Sequence, residues 1–384
     1  MNCKIFAATA AALIFLAVNG TCVVSAASEN RGAEEYDYIA EYEASGADRL
    51  YDELPDYAAE ALDESGIDSE EISSVNNFST STVLNSVISM TADEMNTPLA
   101  TLGVIIALLL FASVCRSGGN ALDSSVEEPL SAIITLSVML TLIAPVISLI
   151  DSAGVAVDTA CRFTVSFGAV FAGILIANSQ AASAAGFSAF LSGATGMSSI
   201  CVKETVLPML RIFLALSCIS SVSDSVNVDA VIRFFEKYAK WILAFLAVII
   251  TASLSISGLL SASADGVASR TAKFIISGSV PVIGGAMSDA YLSIKSGMAL
   301  VRNSAGAFGI IGTAYIFLPV IIRAILWNAV SGIGSAICET LNLSREKKLF
   351  SSVGSMLSIL LGVLFFSVFL LTLGGIVAIM QRQI

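Results

Sequence analysis

The chain contains no histidine. That absence removes imidazole-activated nucleophiles, His-containing zinc sites and histidine proton relays together. Charge is scarce as well: 13% of the 384 residues are Asp, Glu, Lys or Arg, well below the share of a soluble domain. No pair of cysteines has CxxC spacing. Cys3 and Cys22 lie near the amino terminus, and Cys115, Cys161, Cys201, Cys218 and Cys338 stand singly within or beside apolar segments. They read as small packing residues rather than redox groups or metal ligands. No GD pair and no Ser/Lys arrangement stands out, which argues against an intramembrane protease. The reading is a protein that is not an enzyme and needs no cofactor.

What the chain has instead is apolar sequence. Hydrophobic residues make up 56% of it, with a mean hydropathy of +0.85. The fold class is therefore an all-α polytopic membrane protein. The net charge of −12 is unevenly distributed. Ser28 to Thr97 holds 18 acidic and 2 basic residues, whereas Pro98 onward holds 13 acidic and 16 basic. An acidic head of this kind offers nothing to nucleic-acid phosphates.

Residues 1–27 read as a cleaved signal peptide: Lys4, an apolar run from Ile5 to Val18, then VVSAAS with small residues at the cleavage position. The competing reading is an uncleaved first span, for which the run is short. Residues 28–97 form an acidic extracytoplasmic region. Within it, LPDYAAEALDESGIDSEEI predicts a helix opened by Pro55 and closed by Gly66. Ile72 to Met95 reads either as an amphipathic helix on a membrane or partner, or as part of a flexible tether.

Clear spans follow at Leu99–Cys115 and Leu130–Ile150 (region 98–161), then Phe163–Ala182, Val206–Val222, Trp241–Ala262 and Gly354–Met380. Phe187–Val202 is weak. Phe274–Leu326 carries Pro281, Gly284, Gly285, Asp289, Lys295 and Arg302 where a plain membrane helix has no such residues. Broken backbone and charge at membrane depth are tolerated only when buried in protein or facing water. Both stretches are candidate re-entrant or broken helices.

Shifting the chain by 111 residues lays Arg162–Arg211 over Lys273–Ile322, matching Phe163 with Phe274, Gly173 with Gly284, Gly186 with Gly297 and Pro208 with Pro319. Both copies continue with an arginine (Arg211, Arg323), a polar loop, a basic cluster and a long apolar span. This suggests a duplicated unit, 162–262 and 273–384. Arg233, Lys237 and Lys240 correspond to Arg345, Lys347 and Lys348, so the positive-inside rule makes the repeats parallel. Ten spans, or six with two re-entrant hairpins, satisfy this equally. Arg211 and Arg323, one turn after Pro208 and Pro319, could pair with freed carbonyls or with Asp224 and Glu339 respectively. Lys295 and Arg302, seven residues apart, share a helix face that either lines a polar path or snorkels to an interface.

The signal, the acidic head and above all SGSVPVIGGAMSDAYLSIKSGMALVRNSAGAFGIIG followed by IFLPVIIRAILWNAV resemble the stage III sporulation protein AE family. The resemblance implies a multi-pass protein in the mother-cell membrane around the forespore, with its amino-terminal region in the intermembrane space. It implies a channel or secretion-like complex with the other stage III A-operon proteins and, through them, the forespore stage II protein Q. Such a complex supports late forespore gene expression. The family has no established catalytic residues to carry over. The alternative from another class is a secondary transporter or permease for a small solute, favoured generically by repeats and broken helices. Oligomerisation and what any channel would pass stay open.

Overall fold

The computed structural model describes residues 50–64, 80–117, 124–177, 180–222, 230–231, 233–235, 237–249, 252 and 284–380. Residues 1–27, Pro281, Asp224, Asn227 and the junction between residues 262 and 273 lie outside the described residues. Every regular element among the described residues is helical. A short helix, α1 (Asp56–Glu64), is followed by α2 (Thr80–Ser117), α3 (Ser124–Ala177) and α4 (Ala181–Ser198). A π-helical stretch, Ser199–Val206, joins α4 to α5 (Leu207–Val222). Residues 237–249 form α6, and the chain ends in α7 (Gly284–Thr340) and α8 (Ser344–Met380). Among the described residues, five stretches are long and apolar enough to cross a membrane: Asn85–Cys115, Ala132–Ala177, Ala181–Val222, Ser304–Thr340 and Ser344–Leu373.

Continuity departs from the sequence reading in four places. Leu130–Ile150 and Phe163–Ala182, expected as separate crossings, belong mainly to one helix, α3, with no turn between them. Asp151, Asp158 and Arg162 suggest a loop there, but both acids are paired in place by α4–α5 side and the intervening sequence is rich in Ala and Val. Phe187–Val202, expected to break, instead runs through the π stretch without interruption. Gly284 to Leu326, expected in two or three pieces, lies within a single 57-residue helix that absorbs Pro319. At 1.5 Å per residue α3 and α7 are each roughly 80 Å long, more than twice the ~30 Å of hydrocarbon. Residues 80–95 likewise continue directly into the first span as α2 and do not form a separate surface helix.

The amino-terminal helix begins where expected, with the Pro55 carbonyl accepting the Ala58 and Ala59 N–H groups at 2.8 and 3.0 Å. Ala58, Ala61 and Leu62 are buried at helical spacing, and together with Leu50 and Leu54 they join the main core. This short segment, too small to bury a core alone, thus packs against α7. Tyr51 lies 6.4 Å from the Phe308 ring, and the Tyr57 hydroxyl donates to the Ile316 carbonyl at 3.0 Å.

At the other end α7 and α8 form a hairpin. Asn342, at φ 56°, supplies the left-handed residue that ends α7. The Leu343 N–H reaches the Cys338 carbonyl at 2.9 Å and the Asn342 N–H reaches Glu339 at 3.3 Å, while Leu343 and Cys338 are both buried. This is a Schellman closure with its hydrophobic contact.

Glycine sets how close the rods come. A Cβ at Gly309 would lie 2.6 Å from Phe167, one at Gly312 2.8 Å from Phe163, and one at Gly334 2.5 Å from Phe350. The phenylalanines of α3 and α8 therefore sit directly on the α7 backbone, as small residues permit in membrane helix packing.

Candidate functional site

Among the described residues, three interhelical ion pairs lie along the length of the bundle. Arg323 on α7 donates from Nε and Nη2 to Glu94 Oε2 and Oε1 on α2, at 2.8 and 2.6 Å. This is the planar bidentate geometry that guanidinium and carboxylate favour. Lys203 Nζ, in the π stretch, donates to Asp158 Oδ2 on α3 at 2.5 Å, and Arg211 on α5 pairs with Asp151 on α3.

Backbone periodicity explains the two pairs to α3. Asp151 and Asp158 are seven residues apart and so share a helix face. Their partners Arg211 and Lys203 run in the opposite direction and are eight apart. A π turn takes up an extra residue, so eight positions on this rod match seven on α3. The Ser198 hydroxyl, where the π stretch begins, is fully buried and makes no hydrogen bond.

Phe167 against Gly309 and Phe163 against Gly312 make α3 and α7 antiparallel. Following that register about a dozen residues, some 18 Å, brings Asp151 level with Arg323. Further along, Thr135 of α3 meets the start of α8, its hydroxyl donating to the buried Glu346 Oε1 at 2.6 Å. Glu94–Arg323 and Asp151–Arg211 therefore occupy one layer across the bundle, with Asp158–Lys203 about two turns away on the side of α1. From this layer to the end of α7 is about 25 Å, close to one hydrocarbon thickness.

Prolines flank the central pair. Pro98 follows Glu94 by four residues, and Pro319 precedes Arg323 by four. Lacking an N–H, Pro98 deprives the Glu94 carbonyl of its usual helical donor, and Pro319 does the same for Tyr315. The carbonyl of Ile316, next to Tyr315, is the one Tyr57 binds.

The sequence-level partners need correction. Arg323 pairs with Glu94, not Glu339: the latter lies 16 residues along the same helix, about 24 Å away. Glu339 instead meets Lys347 across the α7–α8 turn at 3.1 Å. Arg211 takes Asp151 as its partner, while Asp224 is outside the described residues. Pro208 is the second residue of α5, in the turn that follows the π stretch. Gly284, Gly285, Asp289, Lys295 and Arg302 all lie in the first third of α7, where the backbone alone is described.

Sequence reasoning missed Glu94, Asp151, Asp158 and Lys203. The signals were present: two acids at heptad spacing inside an apolar run, a lysine within the weakest span, and an acid four residues before a membrane proline.

The three pairs leave side-chain exposures of 35% and 24% for Arg323 and Glu94, 40% and 27% for Lys203 and Asp158, and 55% and 53% for Arg211 and Asp151. The first two are partly enclosed, and the third is half exposed. Half-exposed ion pairs are costly against lipid and cheap against water or a polar partner. The layer can fix helix register and hold a hydrated or protein-covered belt around the bundle.

Apolar helices of membrane length, tied by interhelical ion pairs, define a multi-pass helical membrane protein. The family model described as Stage III sporulation protein AE matches residues 67–381, and the chain belongs to that family. The stage III sporulation protein AE of Bacillus subtilis (strain 168) is 26% identical over 210 residues, 54% of this chain and 53% of that protein. The match thus spans about half the length of the curated relative. No solved structure matches the chain.

Proposed function

We propose that this chain is a non-enzymatic, multi-pass component of a channel or secretion-like complex linking mother cell and forespore, supporting late forespore gene expression. In this reading it sits in the mother-cell membrane around the forespore, with its amino-terminal region in the intermembrane space. Its partners are the other stage III A-operon proteins and, through them, forespore stage II protein Q.

The observation carrying the reading is the ion-pair layer on rods too long for one bilayer. Below the layer, the last 25 Å or so of α7 and the facing parts of α2, α3 and α8 match a hydrocarbon slab. Above it, α3 and α7 continue beside α1, and α3 still exposes Val155, Val165 and Ile176. We place the layer at the outer membrane surface, so that the upper lobe stands in the space between membranes. Apolar surface standing in water is a surface for partners.

The matched heights of Arg211 and Arg323, each close to a proline on rods running the same way, are what a parallel duplication would produce. They support one orientation for α5 and α7, with both rods running from the layer toward the cytoplasm.

The test is localisation of a fluorescent fusion to the engulfing membrane with and without the other complex proteins. It is paired with cysteine labelling at Ser45, Asn227, Thr340 and Gln383 in a cysteine-free chain. Localisation that depends on the other proteins, with outer labelling at Ser45 and Gln383 only, supports the channel component. Independent localisation together with solute uptake by the purified chain in liposomes would establish the secondary transporter instead.

A further inference from the structure

The helical residues between 230 and 249 have two unlike faces. Ala239 and Leu246 are fully buried, and Phe235, Ile242 and Leu243 pack with them against the core. Their spacing defines a docked stripe. Elsewhere on the helix Phe234, Tyr238, Trp241 and Phe245 are 61, 41, 59 and 54% exposed. These four rings form a ladder at i, i+4, i+7 and i+11, with successive centroids 5.8, 6.2 and 5.4 Å apart and interplanar angles of 9°, 22° and 7°.

Arg233, Lys237 and Lys240 each precede a ladder residue by one position and are exposed, so a basic stripe runs alongside the aromatic one. With Glu236 counted, three cations and one acid leave the stretch at +2. The cations stop at Lys240, and from Trp241 to residue 249 every residue is apolar. Charge at one end, aromatic rings at the change-over and hydrocarbon beyond are the profile of a helix entering a bilayer through its headgroup region.

We propose that this basic–aromatic face is a binding surface for anionic phospholipid, with Arg233, Lys237 and Lys240 holding the phosphate-bearing headgroup while Tyr238, Trp241 and Phe245 lie along the upper acyl chains. Charge complementarity selects the occupant. Zwitterionic lipid satisfies the rings equally well but leaves the basic stripe without a net negative counterpart, whereas each basic side chain near an anionic surface adds to affinity. The surface belongs to the membrane protein as such and does not depend on its partners or cargo.

The chain carries its own probe, because it has two tryptophans and only Trp241 is exposed; Trp327 is 2% exposed. The full-length protein is reconstituted in phosphatidylcholine bilayers containing a minor fraction of either brominated phosphatidylglycerol or brominated phosphatidylcholine. Trp241 quenching is taken as the difference from a Trp241→Phe chain. Several-fold stronger quenching by the anionic brominated lipid is expected. That preference should fall to parity in an Arg233→Gln/Lys237→Gln/Lys240→Gln chain and decline as salt rises. Equal quenching by both lipids in the unsubstituted chain would reduce the face to an unselective aromatic belt and overturn the proposal. Protection of Trp241 from both lipids would overturn it too, by showing the face covered by protein.

Discussion

Helices α2 and α7 both cross the bundle, yet they are treated oppositely. In α7, 89% of the most apolar stretch is buried; in α2, the more apolar of the two, only 22% is. In water the order would be reversed, because the hydrophobic effect would drive the more apolar helix inward. Inside a bilayer that force is absent between helices, and enclosure goes to the helix that others can approach closely. The α7 sequence supplies Gly309, Gly312 and Gly334 for the phenylalanines of its neighbours, while the Thr313 hydroxyl donates within its own turn to the Gly309 carbonyl and the Ser331 hydroxyl donates across to the Phe350 carbonyl of α8. Along α2, Val104, Leu110, Phe111 and Val114 face outward at 52, 52, 56 and 70% exposure. Small residues, not the most apolar ones, define the centre.

The strongest way to break this comparison is to add methyl groups where rods touch. Gly309→Ala and Gly312→Ala each place a Cβ within 3 Å of a buried phenylalanine ring. Overpacking of this kind costs about 1–3 kcal/mol per site. The double variant should unfold well below the unsubstituted chain in a detergent thermal-stability assay. Val114→Ala on α2, although it removes two methyl groups, should change stability by less than about 0.5 kcal/mol. Comparable losses at the two sites would mean that α2 is also enclosed in the working protein.

Next in size is the central ion pair. Arg323→Gln leaves the Glu94 carboxylate partly buried without its cation, and losing one partner of a buried pair costs about 3–5 kcal/mol at full burial. With 24% exposure at Glu94, a smaller loss is expected. Adding Glu94→Gln should recover much of it, giving a coupling of about 1–3 kcal/mol in a double-mutant cycle. The Arg211–Asp151 pair offers the sharper contrast. Because it is half-exposed, the same cycle in purified protein should show under about 1 kcal/mol. A large coupling at this outer pair would mean that the layer is immersed in lipid rather than lying at the membrane surface.

The contrast between enclosed and open helices was only partly legible in the sequence. The helical membrane class, the α1 helix opened by Pro55 and the family-bearing block around Pro319 all follow from local pattern. So does the special status of Arg211 and Arg323, since a cation at membrane depth demands a partner. The partners themselves do not follow. Glu94 is 229 residues from Arg323, and nothing local to either records their meeting. Helix continuity misleads for a related reason. Asp151, Asp158 and Lys203 resemble loop punctuation until their mutual pairing is seen, and that pairing depends on a one-residue π adjustment that hydropathy does not register. Asp289, Lys295 and Arg302 share α7 with Arg323.

The smallest expected effect separates α1 from the rods it rests on. Tyr57 keeps 41% of its surface exposed, yet its hydroxyl reaches the Ile316 carbonyl beside the turn that Pro319 loosens. Tyr57→Phe removes one hydrogen bond and leaves the ring contacts, a change of about 0.5–1.5 kcal/mol in docking. Faster proteolytic release of the amino-terminal segment, with the bundle's melting unchanged, would check it. Burial raises the Tyr57 phenol above its ordinary 10.0. Docked Tyr57 thus holds its proton more tightly than undocked Tyr57, so this contribution is complete below pH 10. As pH rises through that value the undocked phenol ionises first and docking weakens. Protease release should therefore accelerate above pH 10 in the unsubstituted chain and stay flat in Tyr57→Phe. If both chains accelerate alike, α1 is held by Leu50, Leu54 and Leu62 alone, and the hydroxyl contact at the Pro319 turn contributes nothing to its docking.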